Sequence, residues 1–141
     1  MCRPPFKAGP VVKPGSLIRL NCRTPIICHV LIIEDEPFFA MDLQNLLEIE
    51  GASSFEFADT QADAITSACA RRPAVITSDV HLYEGRGPAA VAEIRSLLGH
   101  IPVIFITATL QDCDAMRLGD ALLNKPVDRQ ILRDHFRRMR S

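Results

Sequence analysis

The sequence predicts an α/β domain built on a five-stranded, doubly wound parallel sheet, and three observations support this prediction. Short apolar runs alternate with segments of helical periodicity from residue 28 onward. Each run is continuous in its apolar character, as expected for parallel strands that helices cover on both faces. The 141 residues are enough for one domain with a proper core. Strands and helices in alternation favour right-handed crossovers between parallel strands.

The pattern predicts five strands and five helices in turn. The strands are expected at residues 28–33, 54–57, 74–78, 103–107 and 121–123. The helices are expected at residues 37–49, 61–70, 87–98 and 128–138, with a short or irregular fourth helix near 111–117.

The first helix has the clearest pattern. Pro37 fits its first turn and Gly51 follows its end, as is typical of helix boundaries. Its apolar residues approach the i, i+3, i+4, i+7 spacing of a core-facing stripe, and they are Phe39, Leu43, Leu46, Leu47 and Ile49.

Residues 1–27 differ from the rest of the chain, because they are rich in proline and glycine and lack sustained periodicity. We expect them to form a disordered or loosely docked extension, with at most a short strand at 16–20, and residues 28–141 to form the folded domain. Residues 1–28 carry five basic side chains and no acid, so residues 29–141 carry a net charge of −6. An acidic domain is a poor candidate for direct nucleic-acid binding.

Membrane and secretory signals are not visible in the sequence. No apolar run approaches the roughly 18 residues of a membrane span, and the first 21 residues lack the apolar region of a signal peptide. The five cysteines are scattered, without metal-binding spacing. These observations favour a cytoplasmic protein with reduced thiols.

Polar residues follow four of the five predicted strands. Glu34, Asp35 and Glu36 follow the first strand, Asp79 the third, Thr107 ends the fourth, and Lys125-Pro126 follows the fifth. Ligands of parallel α/β sheets bind beyond the carboxyl ends of the strands, so we expect these side chains to converge. Taken singly, each acid could be a loop residue or a helix cap; their positions at separate strand ends favour a shared site.

These residue types together favour phosphoryl chemistry with a magnesium ion. Mg²⁺ prefers oxygen ligands and would relieve the repulsion between converging carboxylates. A lysine and a threonine hydroxyl can stabilise a phosphoryl group, and a carboxylate can accept one. Asp79 is the natural acceptor, since it stands alone on the middle strand, facing the acidic pair and Lys125.

The segments HVLIIEDEP, VITSDVHL, VIFITAT and LLNKP resemble the four signature segments of response-regulator receiver domains, over residues 28–140. The resemblance implies the flavodoxin-like strand order 2-1-3-4-5. It implies Asp79 as phosphoacceptor, with Mg²⁺ held by Asp35 directly, by Glu34 mainly through water, by Asp79 and by the His81 carbonyl. Thr107 would be the switch hydroxyl, Ala108 its small neighbour, Lys125 the phosphate-binding lysine, and Lys125-Pro126 a cis peptide. Gly87 matches the glycine that opens the third helix.

The sequence departs from that family pattern at several positions. Glu34 replaces the commoner Asp, and Tyr83 stands where proline is frequent, which predicts a looser loop after Asp79. Leu122 occupies the place of a switch aromatic, so an aromatic-flip switch is not expected.

The sequence also resembles the receiver half of alphaproteobacterial general stress-response regulators. Those proteins carry a sigma-factor-like domain before the receiver, and residues 1–27 are too short for one. We therefore expect that activity to be absent.

The resemblance implies a partner histidine kinase or histidine phosphotransfer protein and an unknown downstream protein target, with the chain a monomer or weak homodimer. The chain would catalyse only its own phosphorylation and dephosphorylation. Alternatives are a receiver excised from a larger hybrid kinase or transcription regulator, and a receiver-like domain that binds partners without phosphate. A remote alternative is a magnesium-dependent nucleic-acid enzyme of the topoisomerase–primase type, which would require an Asp-x-Asp motif that Asp79 does not begin.

Overall fold

A computed structural model describes residues 27–109 and 120–140 of the chain. Within these residues, five parallel strands form one sheet in the order β2-β1-β3-β4-β5, which confirms the predicted fold class. The strands are β1 (His29–Ile33), β2 (Ser54–Ala58), β3 (Val75–Ser78), β4 (Val103–Thr107) and β5 (Ala121–Asn124). The helices are α1 (Pro37–Ile49), α2 (Gln61–Ala70), α3 (Gly87–Leu98) and α4 (Arg129–Arg140). The expected helix near 111–117 and the strand at 16–20 lie outside the described residues.

Helix boundaries follow local chemistry. Pro37 occupies the first turn of α1, and Gly51 follows the helix with a positive φ of 108°. The side chain of Thr60 caps α2 by accepting a hydrogen bond of 3.1 Å from the Asp63 amide. The helices α1, α2 and α3 begin and end where the sequence predicts.

The last helix differs from the prediction, which included Asp128. The Asp128 carboxylate instead accepts hydrogen bonds from the Gln130 amide at 2.9 Å and the Ile131 amide at 3.1 Å. It therefore caps α4 from the preceding position, because a short acidic side chain satisfies free helical amides better from outside the helix than within it.

The core consists of two layers, one on each face of the sheet. Alternate residues of β1 point to opposite layers, with Val30 and Ile32 in one and Leu31 and Ile33 in the other. The sequence predicts strands that helices cover on both faces, and β2 is an exception. It lies at the edge of the sheet, and its residues Glu56 and Phe57 are exposed.

The predicted apolar stripe of α1 is wrong at one residue. Leu43 and Leu47 are buried, and Phe39 and Leu46 pack partly against the core. Ile49 is 79% exposed. It lies two residues beyond Leu47, about 200° around the helix, so it faces away from the sheet.

No helix within residues 27–109 and 120–140 has both the length and the apolar character that crossing a bilayer would require.

A buried ion pair fixes the start of β5. The Arg95 guanidinium on α3 donates to both carboxylate oxygens of Asp120, at 2.7 and 3.1 Å, and also to the Ile101 carbonyl. The two side chains are 8% and 1% exposed. Arg95 therefore joins α3 to the segments that enter β4 and β5.

We expect Asp120→Ala to destabilise the domain by roughly 3 kcal/mol, because it leaves the Arg95 charge buried without its partner. Urea unfolding at neutral pH measures this. Arg133→Ala is the control, since Arg133 and Asp134 form a loose pair at 3.9 Å whose side chains are 36% and 54% exposed, and it should cost less than about 1 kcal/mol. Equal losses in the two variants would contradict the role of the buried pair.

Candidate functional site

The candidate site lies at the carboxyl edge of the sheet, where β1, β3, β4 and β5 end in that order. Ile33 of β1 pairs with Ser78 of β3, so the residues that follow them, Glu34 and Asp79, are neighbours. The Asp79 amide continues the ladder by donating to the Ile33 carbonyl at 2.9 Å. The register of the strands thus sets the separation of the two acids.

Three acids meet at this edge. Glu34, Asp35 and Asp79 each offer an oxygen, and these oxygens lie within 4.8 Å of one another. Glu34 is 5% exposed and Asp79 8% exposed, whereas Asp35 is half-buried. Carboxylate oxygens this close together repel one another when they are ionised. A cation bound among them reduces this repulsion, so the cluster favours cation binding.

Lys125 supplies a positive charge opposite the acids. Its Nζ lies 3.1 Å from Asp79 Oδ2 and 3.3 Å from Glu34 Oε1, and 4.4 Å from the centre of the Phe39 ring. The Lys125 amide donates to the Thr107 carbonyl at 2.9 Å, which places the residue just beyond the β4–β5 ladder. The Lys125-Pro126 peptide is cis, the isomer that the family resemblance implies.

The charges alter the pKa values of the site. Burial, and next the charge of Asp79, raise the pKa of the Glu34 carboxyl to about 7, against a weaker opposing effect of Lys125. Burial by itself would lower the pKa of Lys125, but the charges of Glu34 and Asp79 outweigh it and raise the pKa. Lys125 therefore stays charged, while Glu34 exchanges a proton near neutrality when no metal is bound.

The carboxylate of Asp79 is held by the backbone as well as by Lys125. Its Oδ1 accepts a hydrogen bond of 2.7 Å from the Val80 amide, while Oδ2 faces Lys125. Two backbone hydrogen bonds close the loop between Asp79 and α3. The Gly87 amide donates to the Val80 carbonyl at 2.9 Å, and the Leu82 amide donates to the Gly85 carbonyl.

The remaining predicted residues lie at the ends of the same strands. Thr107 ends β4 and is buried, and its Oγ1 accepts a hydrogen bond of 3.1 Å from the Thr109 amide. Ala108 follows it and is exposed. His81 is exposed in the loop after Asp79, where it pairs with Arg86 in an isolated bridge. The structure thus places Glu34, Asp35, Asp79 and Lys125 in one cluster, with the other three beside it.

Position 87 requires glycine, because the backbone of Asp79 approaches it too closely for a side chain. A Cβ on this residue would lie 1.8 Å from the Asp79 carbonyl oxygen and 2.2 Å from Ser78 Oγ. α3 therefore begins directly against the backbone that carries Asp79.

Sequence reasoning did not identify the contact between Phe39 and Lys125. The helical spacing of Phe39 assigns it to the core, and nothing in the pattern shows that its ring also meets a lysine from the far end of the chain. An aromatic residue in the first turn after the acidic pair was the available signal.

Comparison with known proteins is consistent with this geometry. The family model "Response regulator receiver domain" matches residues 30–137. The phyllosphere-induced regulator PhyR of Methylorubrum extorquens is 42% identical over 82 residues, which cover 57% of this chain and 30% of PhyR. The KDP operon transcriptional regulatory protein KdpE of Escherichia coli is 32% identical over 102 residues, which cover 70% of this chain and 44% of KdpE.

A solved structure resembles the fold closely. The solution structure of the receiver domain of the PhyR response regulator from Erythrobacter litoralis superposes with a TM-score of 0.72 at 28% identity, covering 80% of this chain and 89% of that one. The chain spans less than half the length of the two full-length regulators that it matches.

We expect Gly87→Ala to destabilise the domain by about 2 kcal/mol, because the new methyl group meets backbone that cannot move aside. Urea unfolding measures the loss. The control is Ala92→Ser, which also adds one heavy atom but on the exposed face of α3; it should change the stability by less than about 0.5 kcal/mol. A loss at Gly87 no larger than that at Ala92 would refute the close approach.

Stability should also respond to pH through Glu34. The folded-state pKa of about 7 lies above the ordinary glutamate pKa of 4.5, so the native state holds this proton more tightly than the unfolded chain. The resulting stabilisation is present below the unfolded pKa and is lost as pH rises through about 7. The free energy of unfolding in chelator-treated buffer should therefore fall by roughly 3 kcal/mol more for the unsubstituted protein than for Glu34→Gln between pH ~5 and pH ~8.

The control for this measurement is Glu48→Gln, which removes an exposed carboxyl near the C-terminal end of α1, outside the acidic cluster. Its pH profile should run parallel to that of the unsubstituted protein. Parallel profiles for Glu34→Gln as well would show that Glu34 has an ordinary pKa.

Proposed function

The chain belongs to the response regulator receiver domain family, and we propose that it accepts a phosphoryl group on Asp79 and signals through contacts with other proteins. Receivers of this family are signalling domains of two-component systems rather than classical enzymes. One observation carries the assignment of Asp79. Its carboxylate lies at the end of a central strand, next to both the Lys125 ammonium and the acidic cluster.

The proposed reaction transfers a phosphoryl group from a nitrogen or oxygen atom of the donor to the carboxylate of Asp79. A carboxylate oxygen of Asp79 forms a bond to phosphorus while the bond from phosphorus to the donor breaks. The donor leaves with the bonding electrons, as a histidine imidazole from a kinase or phosphotransfer protein, or as acetate from acetyl phosphate. Water later attacks the aspartyl phosphate, releasing inorganic phosphate and restoring the carboxylate.

Lys125 stabilises the charge that accumulates during this transfer. Its ammonium already faces Asp79 Oδ2 at 3.1 Å, so it can contact a phosphoryl oxygen with little movement. The Val80 amide fixes the other carboxylate oxygen, which limits rotation of the acceptor. Thr107 would donate its hydroxyl to the phosphoryl group in place of its contact with Thr109, and exposed Ala108 leaves space beside it.

The acidic cluster fits a magnesium ion. Glu34, Asp35 and Asp79 provide hard oxygen donors whose atoms lie within 4.8 Å of one another. Burial and next the charge of Asp79 raise the pKa of Glu34, and a bound cation would relieve the repulsion between the two carboxylates. We propose that Asp35 and Asp79 ligate it directly, Glu34 acts mainly through water, and the His81 carbonyl completes the set. When bound, Mg²⁺ neutralises charge on the phosphoryl oxygens.

Phosphorylation would act by shifting a pre-existing equilibrium between two conformations of the region from β4 to α4. Leu122 on β5 is half-buried, and as an aliphatic residue it would not serve as an aromatic switch. The output would therefore depend on the Thr107 hydroxyl and its backbone rather than on a ring that changes its position.

The proposed partners are a histidine kinase or histidine phosphotransfer protein, which supplies the phosphoryl group, and a downstream protein. We propose that the chain is a monomer or weak homodimer and makes no direct contact with nucleic acid. Residues 28–141 would form the receiver, and residues 1–27 would extend it. Its relatives include transcriptional and stress regulators of greater length, so a receiver that belongs to a larger protein remains an alternative reading. The family match does not favour a nucleic-acid enzyme.

We expect acetyl phosphate with Mg²⁺ to add one phosphoryl group to the intact chain, detected by mass spectrometry. Asp79→Asn should abolish the addition, because the amide is a poor nucleophile and cannot form the acyl phosphate. Asp59→Asn is the matched control, since it removes a nearby exposed acid and should leave the addition intact. Chelation of divalent metal should reduce it strongly. A label that survives in Asp79→Asn would rule out Asp79 as the acceptor.

A further inference from the structure

The Lys125 ammonium has a third neighbour besides the two carboxylates. Its Nζ lies 4.4 Å from the centre of the Phe39 ring, within the distance of a cation–π interaction. We propose that Phe39 is a positioning residue for phosphoryl transfer, whose ring face holds the ammonium of Lys125 toward Asp79. This inference rests on the proposed function.

The ring is itself held in place. Phe39 lies in the first turn of α1, half-buried, and packs against the core layer that includes Leu43 and Phe136. Pro126 and Val127 line the same groove as the ring, directly after Lys125. The position of the ring is therefore fixed by the packing of α1 and not by the lysine.

The ammonium needs such a neighbour because its chain is long and its charge is strongly hydrated. A lysine carries three hydrogen-bond donors on a flexible stem, and such side chains tend to extend toward water. Two sides of the Lys125 ammonium meet Glu34 and Asp79. A ring face on another side attracts the charge through its quadrupole and displaces water, which favours the conformer that points at the acceptor.

The adjacent residue allows a close comparison. Phe38 carries the same ring one position earlier on α1 and is 78% exposed. The substitution Phe38→Leu therefore makes the same chemical change without removing a partner that the structure gives to Lys125.

The test compares phosphorylation rates of the full chain with saturating Mg²⁺ and acetyl phosphate, for the unsubstituted protein, Phe39→Leu, Phe39→Tyr and Phe38→Leu. We expect Phe39→Leu to slow the reaction about two- to tenfold and Phe39→Tyr to restore it, because tyrosine keeps the ring face. Phe38→Leu should react at the unsubstituted rate. Melting temperatures establish that each variant is folded under the assay conditions.

A second measurement detects the contact without relying on activity. The ring current of Phe39 should shift the proton resonances of the Lys125 methylene next to the ammonium upfield, and the shift should disappear in Phe39→Leu only. Absence of the shift in the unsubstituted protein overturns the inference, whether or not any variant folds.

The outcomes separate the two proposals. If the unsubstituted protein is phosphorylated and Phe39→Leu reacts equally fast, Phe39 has no positioning role and the proposed function stands. A tyrosine variant as slow as the leucine variant likewise overturns the role of the ring. If the unsubstituted protein takes no phosphoryl group, the proposed function fails and the role of Phe39 in it fails as well.

Discussion

The site depends on one ammonium group between two buried carboxylates. Glu34 and Asp79 are brought together by the pairing of β1 with β3, and both are largely removed from water. Burial and the charge of Asp79 oppose the ionisation of Glu34, and Lys125 supplies a compensating positive charge next to both carboxylates. The compensation is incomplete, because the pKa of Glu34 still rises to about 7. An acidic cluster left with excess negative potential is suited to take up a divalent cation, which explains why stability and metal affinity should be linked here.

Asp79, the proposed acceptor, is held on rigid backbone. Asp79 follows a fully buried strand, its amide extends the sheet, and its carboxylate is fixed by the next amide in the chain. α3 begins against the same peptide, at a distance only Gly87 permits. The Asp79 side chain can therefore rotate little, and in the proposed transfer this preorganisation would reduce the entropy lost on reaction with a phosphoryl donor.

The acidic and the basic residues of the site come from different parts of the sheet. The acids come from β1 and β3, near the centre of the sheet, whereas Lys125 comes from the edge strand β5 and meets a ring from α1. Lys125 therefore links Asp79 to the segment that precedes α4.

The sequence by itself determined α1, α2 and α3, the residues at the strand ends and, through family resemblance, the strand order, because caps, periodicity and short motifs are local. It also predicted that the strand-end residues converge. Tertiary structure decided their separations and the contact with Phe39, since Glu34 and Lys125 are 91 positions apart and no local pattern shows that the Phe39 ring lies next to the Lys125 ammonium. The exposure of Ile49 and of β2, and the raised pKa of Glu34, also depend on which parts of the folded domain lie next to them. Charge and burial act through space, and distances in space are fixed only when the sheet has formed.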